Sequence, residues 1–323
     1  MNIYKIDNIS QLGHATAVTV GMFDGVHIGH QHILTLLRQE SERLHLTPLV
    51  VTFDQHPRQV LGGGVGGVAI NQFYRVTTNE ERYALLEQFG IHHVLEIHFT
   101  PELAALSACQ FFEQILVQQL QAKALVLGYD NMFGSKQHND FDQLPSLAQT
   151  LGVSLAVDTA VQIQGIDVSS TQVRKALKQG NVELAASFLG YNYNLWGLVV
   201  KGRQMGRQLG FPTANVCLDD TTKVMPADGV YAVIVHLQNS SNPRIGMANF
   251  GGQPTFGLDK PVFEVNIFDF DGDLYGTTLR VEFVARLRDV QKFGSITELV
   301  HQLNSDRDDA RRTLDTKTGK NAL

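Results

Sequence analysis

The sequence predicts an α/β fold in two parts. An N-terminal half is built on a parallel sheet covered by helices, and a C-terminal antiparallel barrel or sandwich ends in a helix. Three observations carry this reading. Short apolar runs alternate with helix-period segments through the first half. After about Gly190 that alternation gives way to closely spaced strand-like runs separated by turn residues. Of the 323 residues, 43% are apolar and 18% charged, so two cored domains are expected and disorder is not.

The strand-like runs of the first half are Ala17–Met22, Pro48–Phe53, His93–Ile97, Ala124–Leu127 and Val153–Val157. Helices are expected between them at Gln31–Leu44, Glu80–Phe89, Ser107–Gln121 and Phe141–Leu151. Strand-helix-strand alternation with short links gives a parallel sheet with helices on both faces and ligands beyond the carboxyl ends of its strands. The stretch Gly21–His30 falls there. From Leu195 to Leu287 the runs LWGLVV, VYAVIV, IGMANF, VFEVNIF and LRVEFVARL are separated by turns such as Asp228-Gly229, Gly251-Gly252 and Asp271-Gly272. A last helix is expected over Ser295–Leu314, with the polar tail DTKTGKNAL frayed. The change of pattern lies near residues 180–194 and gives domains 1–186 and 187–323.

A net charge of −6 argues against a general nucleic-acid binder. Cys109 and Cys217 are the only cysteines and lie far apart, which points to a reducing compartment, not a disulfide framework. The N-terminus lacks a signal-peptide pattern, and no segment carries the ~18 apolar residues a membrane span requires. A cytoplasmic chain without nucleic-acid or membrane partners is therefore expected, as a monomer or weak homo-oligomer. Gly62, Gly64 and Gly67 satisfy the dinucleotide pattern G-x-G-x-x-G, but Pro57 interrupts the approach and no helical period follows, so this stretch reads as a loop. No G-x-x-x-x-G-K-[ST] loop occurs.

The chemistry-bearing stretches lie elsewhere. In Gly21–His30, GMFDGVHIGH, a helix starting near Gly29 would aim unpaired amides at a phosphate. Gly25 and Gly29 would let the backbone approach the ligand. His27 and His30, three apart, would share a face and stabilise charge at a phosphorus centre. A zinc reading needs further ligands, and His92, His93 and His98 stand in no recognisable spacing with the pair. In VSSTQVR, Val168–Arg174, a helix starting at Thr171 would set its amides and Arg174 against phosphates. In Gly197–Asn215, closely spaced glycines with Lys201, Arg203 and Arg207 suggest a phosphate-facing loop. Thr213 and Asn215 end that stretch with neutral oxygens suited to completing a Mg²⁺ shell. Glu264 stands in an alternating strand-like run, where a lone glutamate ordinarily faces solvent.

These stretches closely resemble motifs of the bacterial bifunctional riboflavin kinase/FAD synthetases along the whole chain. GMFDGVHIGH resembles the nucleotidyltransferase motif, and Val51–Pro57 the F-D-P-H-P segment, with Gln55 in place of proline. Glu81-Arg82 matches a Glu-Arg pair opening a helix. Gly128–Gly134 resembles V-G-x-D-F-x-F-G with Asn131 in place of the aromatic, and Ser169–Arg174 matches S-S-T-x-[IV]-R. Gly197–Asn215 follows the kinase motif G-x-V-x-x-G-x-x-x-G-R-x-L-G-x-P-T-A-N almost position for position. Pro226–Tyr231, Gly246–Gly251 and the stretch around Glu264 match as well. Gln253 and Val290 replace a usual arginine and glutamate, and Lys136–Asn139 lacks an arginine and a glycine.

The resemblance implies a Rossmann-like nucleotidyltransferase domain followed by a β-barrel riboflavin kinase domain. It implies ATP-dependent phosphorylation of riboflavin to FMN, then adenylylation of FMN to FAD. It places Gly21, Phe23, Asp24, Gly29, Asp130, Ser170, Thr171 and Arg174 against ATP and FMN, with His27 and His30 catalytic. In the second half it places Gly202, Arg207, Pro212, Thr213 and Asn215 against substrate, Mg²⁺ on Thr213 and Asn215, and Glu264 as general base. Asn131, Gln137 and Asn139 motivate an alternative, a riboflavin kinase with weakened or lost adenylyltransferase. A non-catalytic flavin sensor is a further alternative, against which Glu264 argues, since a sensor needs no base.

Overall fold

A computed structural model describes residues 1–6, 8, 12–55, 74–129, 133–135, 140–202, 204–238, 240, 242–253 and 258–318. The chain divides into two compact units, Met1–Ser170 and Thr171–Leu323.

The first unit holds a six-stranded parallel sheet in the order β1-β4-β3-β2-β5-β6. Its strands are β1 (Asn2–Tyr4), β2 (Thr16–Val20), β3 (Thr47–Phe53), β4 (His93–Ile97), β5 (Ala122–Leu127) and β6 (Ser154–Val157). β2 and β3 are buried almost throughout, as strands covered on both faces must be, so they read as continuous apolar runs without alternation. Strand order reverses beside β2: β3 and β4 follow on one side, β5 and β6 on the other. The segment leaving the carboxyl end of β2 therefore opens at the topological switch point, where such sheets bind ligands.

Among the described residues of this unit the helices are α1 (Ile28–Leu44), α2 (Asn79–Gln88), α3 (Pro101–Ala105), α4 (Ala108–Phe111) and α5 (Leu144–Leu151). α4 continues as a π-helix, Phe112–Gln119, so the expected single helix Ser107–Gln121 is two geometries in series. A 3₁₀ turn, Phe141–Gln143, likewise precedes α5. Sequence reading omits β1, too short to show a period, and the hairpin β7 (Gln162–Ile163) and β8 (Ile166–Asp167). That hairpin turns on Gln164 and Gly165, both with positive φ, a geometry in which asparagine or aspartate would have been the readable signal.

The second unit begins within α6 (Ser170–Lys178), followed by α7 (Val182–Leu189). A closed antiparallel barrel comes next, in the order β10-β13-β12-β11-β14-β9, which settles barrel against sandwich. Its strands are β9 (Asn194–Val200), β10 (Ala214–Leu218), β11 (Gly229–Leu237), β12 (Arg244–Gln253), β13 (Leu258–Ile267) and β14 (Thr278–Arg288), with the single turn α8 (Met205–Gln208) between β9 and β10. The interior is aromatic: Phe283 stacks on Phe263 and meets the Tyr231 ring edge-on. Gly251-Gly252 continues β12 instead of turning, with a register shift before Gln253. α9 (Ile296–Thr318) lays Ala310 and Leu314 on Ala232, Met247 and Val284 of the barrel wall. It runs four residues beyond the expected Leu314, so the start of the polar tail is helical, not frayed.

Candidate active sites

In the first unit the turn after β2 is held in an unusual backbone. Phe23, Gly25 and Val26 all have positive φ, and for β-branched Val26 this is a strained conformation that only the surrounding contacts can maintain. Those contacts are specific. The buried Asp24 carboxylate accepts from the Val76 and Thr77 amides at 2.9 and 3.1 Å, and Gly25 N–H donates to Thr77 Oγ1 at 3.0 Å. Gly21 N–H donates to Val51 O, and Ser170 Oγ donates to the Asp24 carbonyl at 2.8 Å. Asp24 and Phe23 are thus buried supports: the Phe23 ring packs against His30, 5.0 Å between centroids.

His27 is the N-cap of α1, its Nδ1 accepting from His30 N–H at 3.3 Å, so the helix opens one residue before Gly29. The two imidazoles stack 3.6 Å apart at 18°, which brings the expected pair together on one face. A Cβ at Gly29 would lie 3.2 Å from His27 Nδ1, so the glycine makes room for the His27 ring. Burial holds the His30 pKa well below the usual histidine range, reinforced by His27 and Arg82, and its Nδ1 is sealed from solvent without a hydrogen-bond partner. At neutral pH His30 is therefore a neutral hydrogen-bonding group, not a cation. Thr171 and Arg174 fall on α6 in the second unit, where Arg174 Nη2 donates to Thr171 Oγ1 at 3.4 Å. Asp130 lies outside the described residues, with Asn131, Gln137 and Asn139.

In the barrel, Glu264 of β13 lies directly opposite Asn215 of β10 on one side and Asn249 of β12 on the other. Directly opposed residues carry their Cβ atoms about 5 Å apart on the same face of a sheet, so the candidate base and a candidate metal ligand are neighbours. Thr213, two residues before Asn215, precedes the strand. A Cβ at Gly202 would overlap the Asn215 amide, 2.8 Å from Oδ1 and nearer to Nδ2, and one at Gly206 would meet Thr213 Oγ1 at 3.2 Å. These two glycines leave room for the two expected metal ligands. A hydroxyl and an amide oxygen, both half-buried, suit a hard cation that keeps several water and phosphate oxygens, so the donor set fits Mg²⁺.

A cavity of about 750 Å³ opens beside Thr213, walled by Arg207, Pro212, Val199 and the loop Phe270–Tyr275. Arg207 and Pro212 are expected at the site; the loop is legible only as the Asp271-Gly272 turn and as part of the stretch around Glu264 that resembles the family, with no site role for Phe270, Leu274 or Tyr275.

The comparisons with known proteins divide at the same two constellations. The FAD synthetase family matches residues 9–172 and the riboflavin kinase family residues 189–314. A bifunctional riboflavin kinase/FMN adenylyltransferase of Haemophilus influenzae is 34% identical over 96% of this chain and 97% of its own. One of Pseudomonas fluorescens is 37% identical over 93% and 94%. The chain belongs to the bifunctional riboflavin kinase/FMN adenylyltransferase family. A crystal structure described as a macrolide-efflux protein of Streptococcus pneumoniae is 33% identical, with a TM-score of 0.81 over 96% of this chain and 99% of its own. Among the described residues, no helix is long and apolar enough to cross a membrane.

Two residues of this family member were absent from the expected site. Asn266, two residues after Glu264, is buried and donates from Nδ2 to the Pro212 carbonyl at 2.7 Å, tying the strand of Glu264 to the loop that presents Thr213. Arg82, quoted above only as half of a Glu-Arg pair, is 4% exposed and donates to the Met22 and Phe53 carbonyls. The readable part of that pair is Glu81, which closes a capping box with Thr78 at the start of α2.

Proposed function

We propose that this chain makes FAD from riboflavin in two steps, kinase chemistry in residues 187–323 and adenylyl transfer in residues 1–186. The observation that supports the reading is the cross-strand pairing of Glu264 with Asn215, a carboxylate beside an amide whose oxygen suits a hard cation, with the substrate-sized cavity near Thr213. In the first step Glu264 accepts the proton of the ribityl 5′-hydroxyl as that oxygen attacks the γ-phosphorus of ATP and ADP leaves. Thr213 and Asn215 would hold Mg²⁺, which supplies charge neutralisation on the phosphates. Arg207, on the cavity wall, pairs with phosphate oxygens, while Pro212 and Gly202 shape the loop around them. Phosphoryl transfer asks the protein for little beyond such positioning and charge stabilisation.

In the second step an FMN phosphate oxygen attacks the α-phosphorus of a second ATP, and pyrophosphate leaves, with no covalent enzyme intermediate. The first turn of α1 offers amides, and His27 and His30 offer imidazole donors, to the charge that builds on the phosphorus. Gly21, Gly29 and Ser170 shape this surface, and Asp130, Thr171 and Arg174 are assigned to ATP and FMN by their match to the family motifs alone. The chain acts on small molecules in the cytoplasm.

A single time course tests this. Purified protein is mixed with riboflavin, excess ATP and Mg²⁺, and the flavins are separated by chromatography. FMN followed by FAD is expected. FMN without FAD would establish the kinase-only alternative. Unchanged riboflavin would refute the enzymatic reading and bring the flavin sensor forward.

A further inference from the structure

Arg82 is a buried cation that neither step above uses. It sits in the first turns of α2, yet its guanidinium reaches the sheet: Nη1 donates to the Met22 carbonyl at 3.0 Å and Nη2 to the Phe53 carbonyl at 3.1 Å. Phe53 is the last residue of β3, and Met22 follows β2, its parallel neighbour. One planar group therefore bridges the carboxyl ends of the two strands from which the candidate adenylyl site departs. A buried charge is costly unless paired, and arginine ordinarily meets carboxylates in its place. Here the hydrogen-bond acceptors are carbonyls, and Nε is buried without a partner. Such an expense points to a use other than packing.

We propose that Arg82 is a positioning residue for adenylyl transfer, which clamps the strained turn carrying His27 and His30 and fixes a positive charge beside the phosphate-binding helix start. This rests on the reading of residues 1–186 given above. The clamp acts on the turn with positive φ at Phe23, Gly25 and Val26, a backbone that relaxes unless held from several sides. Asp24 holds that turn from the Val76–Thr77 side and Arg82 from the strand side.

The charge acts on His30. The charged or titratable groups bearing on His30 are His27, from the same helix start, and Arg82, from α2, while the Phe23 ring packs against it. Burial lowers the pKa of Arg82 itself to about 10, so it stays charged at neutral pH. Asp24, Glu96 and Asp54 offset part of its field, and Arg75 adds to it. The net effect disfavours a proton on His30, leaving the imidazole neutral while anionic substrate is drawn to the site.

Two variants in the full-length protein separate clamp from charge. Arg82→Lys keeps the cation and loses the planar two-carbonyl bridge. Arg82→Met loses both. FAD formation from FMN is measured from pH 5.5 to 9, thermal unfolding serves as the folding control for the first unit and FMN formation as that for the second, and the His30 imidazole is titrated by NMR. Both variants are expected to lower kcat for FAD formation on the order of 10–100-fold, as misplacement of a preorganised group does, with FMN formation unchanged. In Arg82→Met alone the His30 titration and the acid limb of the rate profile move to higher pH, because a neighbouring positive charge has gone. Unchanged FAD formation in both variants would overturn the proposal. So would an unmoved His30 titration in Arg82→Met, or loss of the thermal unfolding transition of the first unit in both variants, which would reveal a purely structural role. Wild-type protein that makes FMN and no FAD would instead overturn the adenylyl reading on which the proposal rests.

Discussion

Gly202→Ala isolates the geometry of the kinase site with a single methyl group. Gly202 lies outside the left-handed backbone region, so alanine introduces no strain in φ. Its Cβ would stand 2.8 Å from Asn215 Oδ1. Ordinary contact begins at 3.4 Å, so that oxygen must retreat by about 0.6 Å, and the rest of the amide by more. The amide is the far end of a side chain and can rotate away, so the fold survives. The ligand position does not. Mg²⁺ demands near-ideal geometry, and a metal ligand is useful only within ~0.2 Å of its proper distance. Perturbing a group that orients a metal ligand typically costs ~10–100-fold in metal affinity. The Mg²⁺ concentration for half-maximal FMN formation should rise by that factor, while FAD formation from added FMN stays at the wild-type rate. Titration of initial rates against Mg²⁺, with both reactions followed in one preparation, reads this directly. A Gly202→Ala protein with the wild-type Mg²⁺ dependence would refute the placement of Asn215 as a metal ligand.

Three further variants test the two sites. Glu264→Gln should lower FMN formation by ~10²–10⁴-fold and spare FAD formation, and His30→Ala should do the reverse, with a loss on the order of 10²-fold or more. Assaying both products in each variant checks this, and coincident loss in either would sink the two-site scheme. Asn266→Asp removes the donor to the Pro212 carbonyl without changing shape, and is expected to cost ~1–3 kcal/mol of stability along with a fall in kinase kcat larger than any change in KM for riboflavin. Thermal unfolding and kinase kinetics measure the two parts.

The architecture was legible because both halves follow simple periods. Five of the six sheet strands were visible as apolar runs, and the barrel as alternating ones. What escaped notice was local. β10 was hidden inside a motif that reads as a loop, since Ala214-Asn215 continues a Gly-Pro stretch and gives no alternation. The π-helical continuation of α4 carries the same apolar spacing as a regular helix. His27 and His30 could be paired from their spacing, and Glu264 singled out by resemblance. The pairing of Glu264 with Asn215, some fifty residues earlier, depends on strand register, which no local pattern encodes. Arg82 and Asn266 escaped for a related reason: each acts on a backbone carbonyl, and carbonyls leave no mark in a sequence.

The glycines of the two motifs show how a correct motif can carry an incomplete physical explanation. On sequence grounds Gly29 and Gly202 let the backbone approach a phosphate. In the structure the space beside each is already taken by the side chain of a candidate site residue: the His27 ring at Gly29 and the Asn215 amide at Gly202. Gly206 is closed off by the Phe211 carbonyl and abuts Thr213 Oγ1. Of the glycines in the first motif, Gly25 is the one that needs its conformational freedom, at φ +81°. The spacing G-x-x-x-G in the barrel thus records where Asn215 and Thr213 must sit. A side chain at Gly202 changes the chemistry by moving the Asn215 amide, not by touching the substrate. Alanine at Gly202 should therefore behave as a ligand-geometry defect, whereas alanine at Gly206, which meets the Phe211 carbonyl first, and alanine at Gly25 should behave as backbone defects.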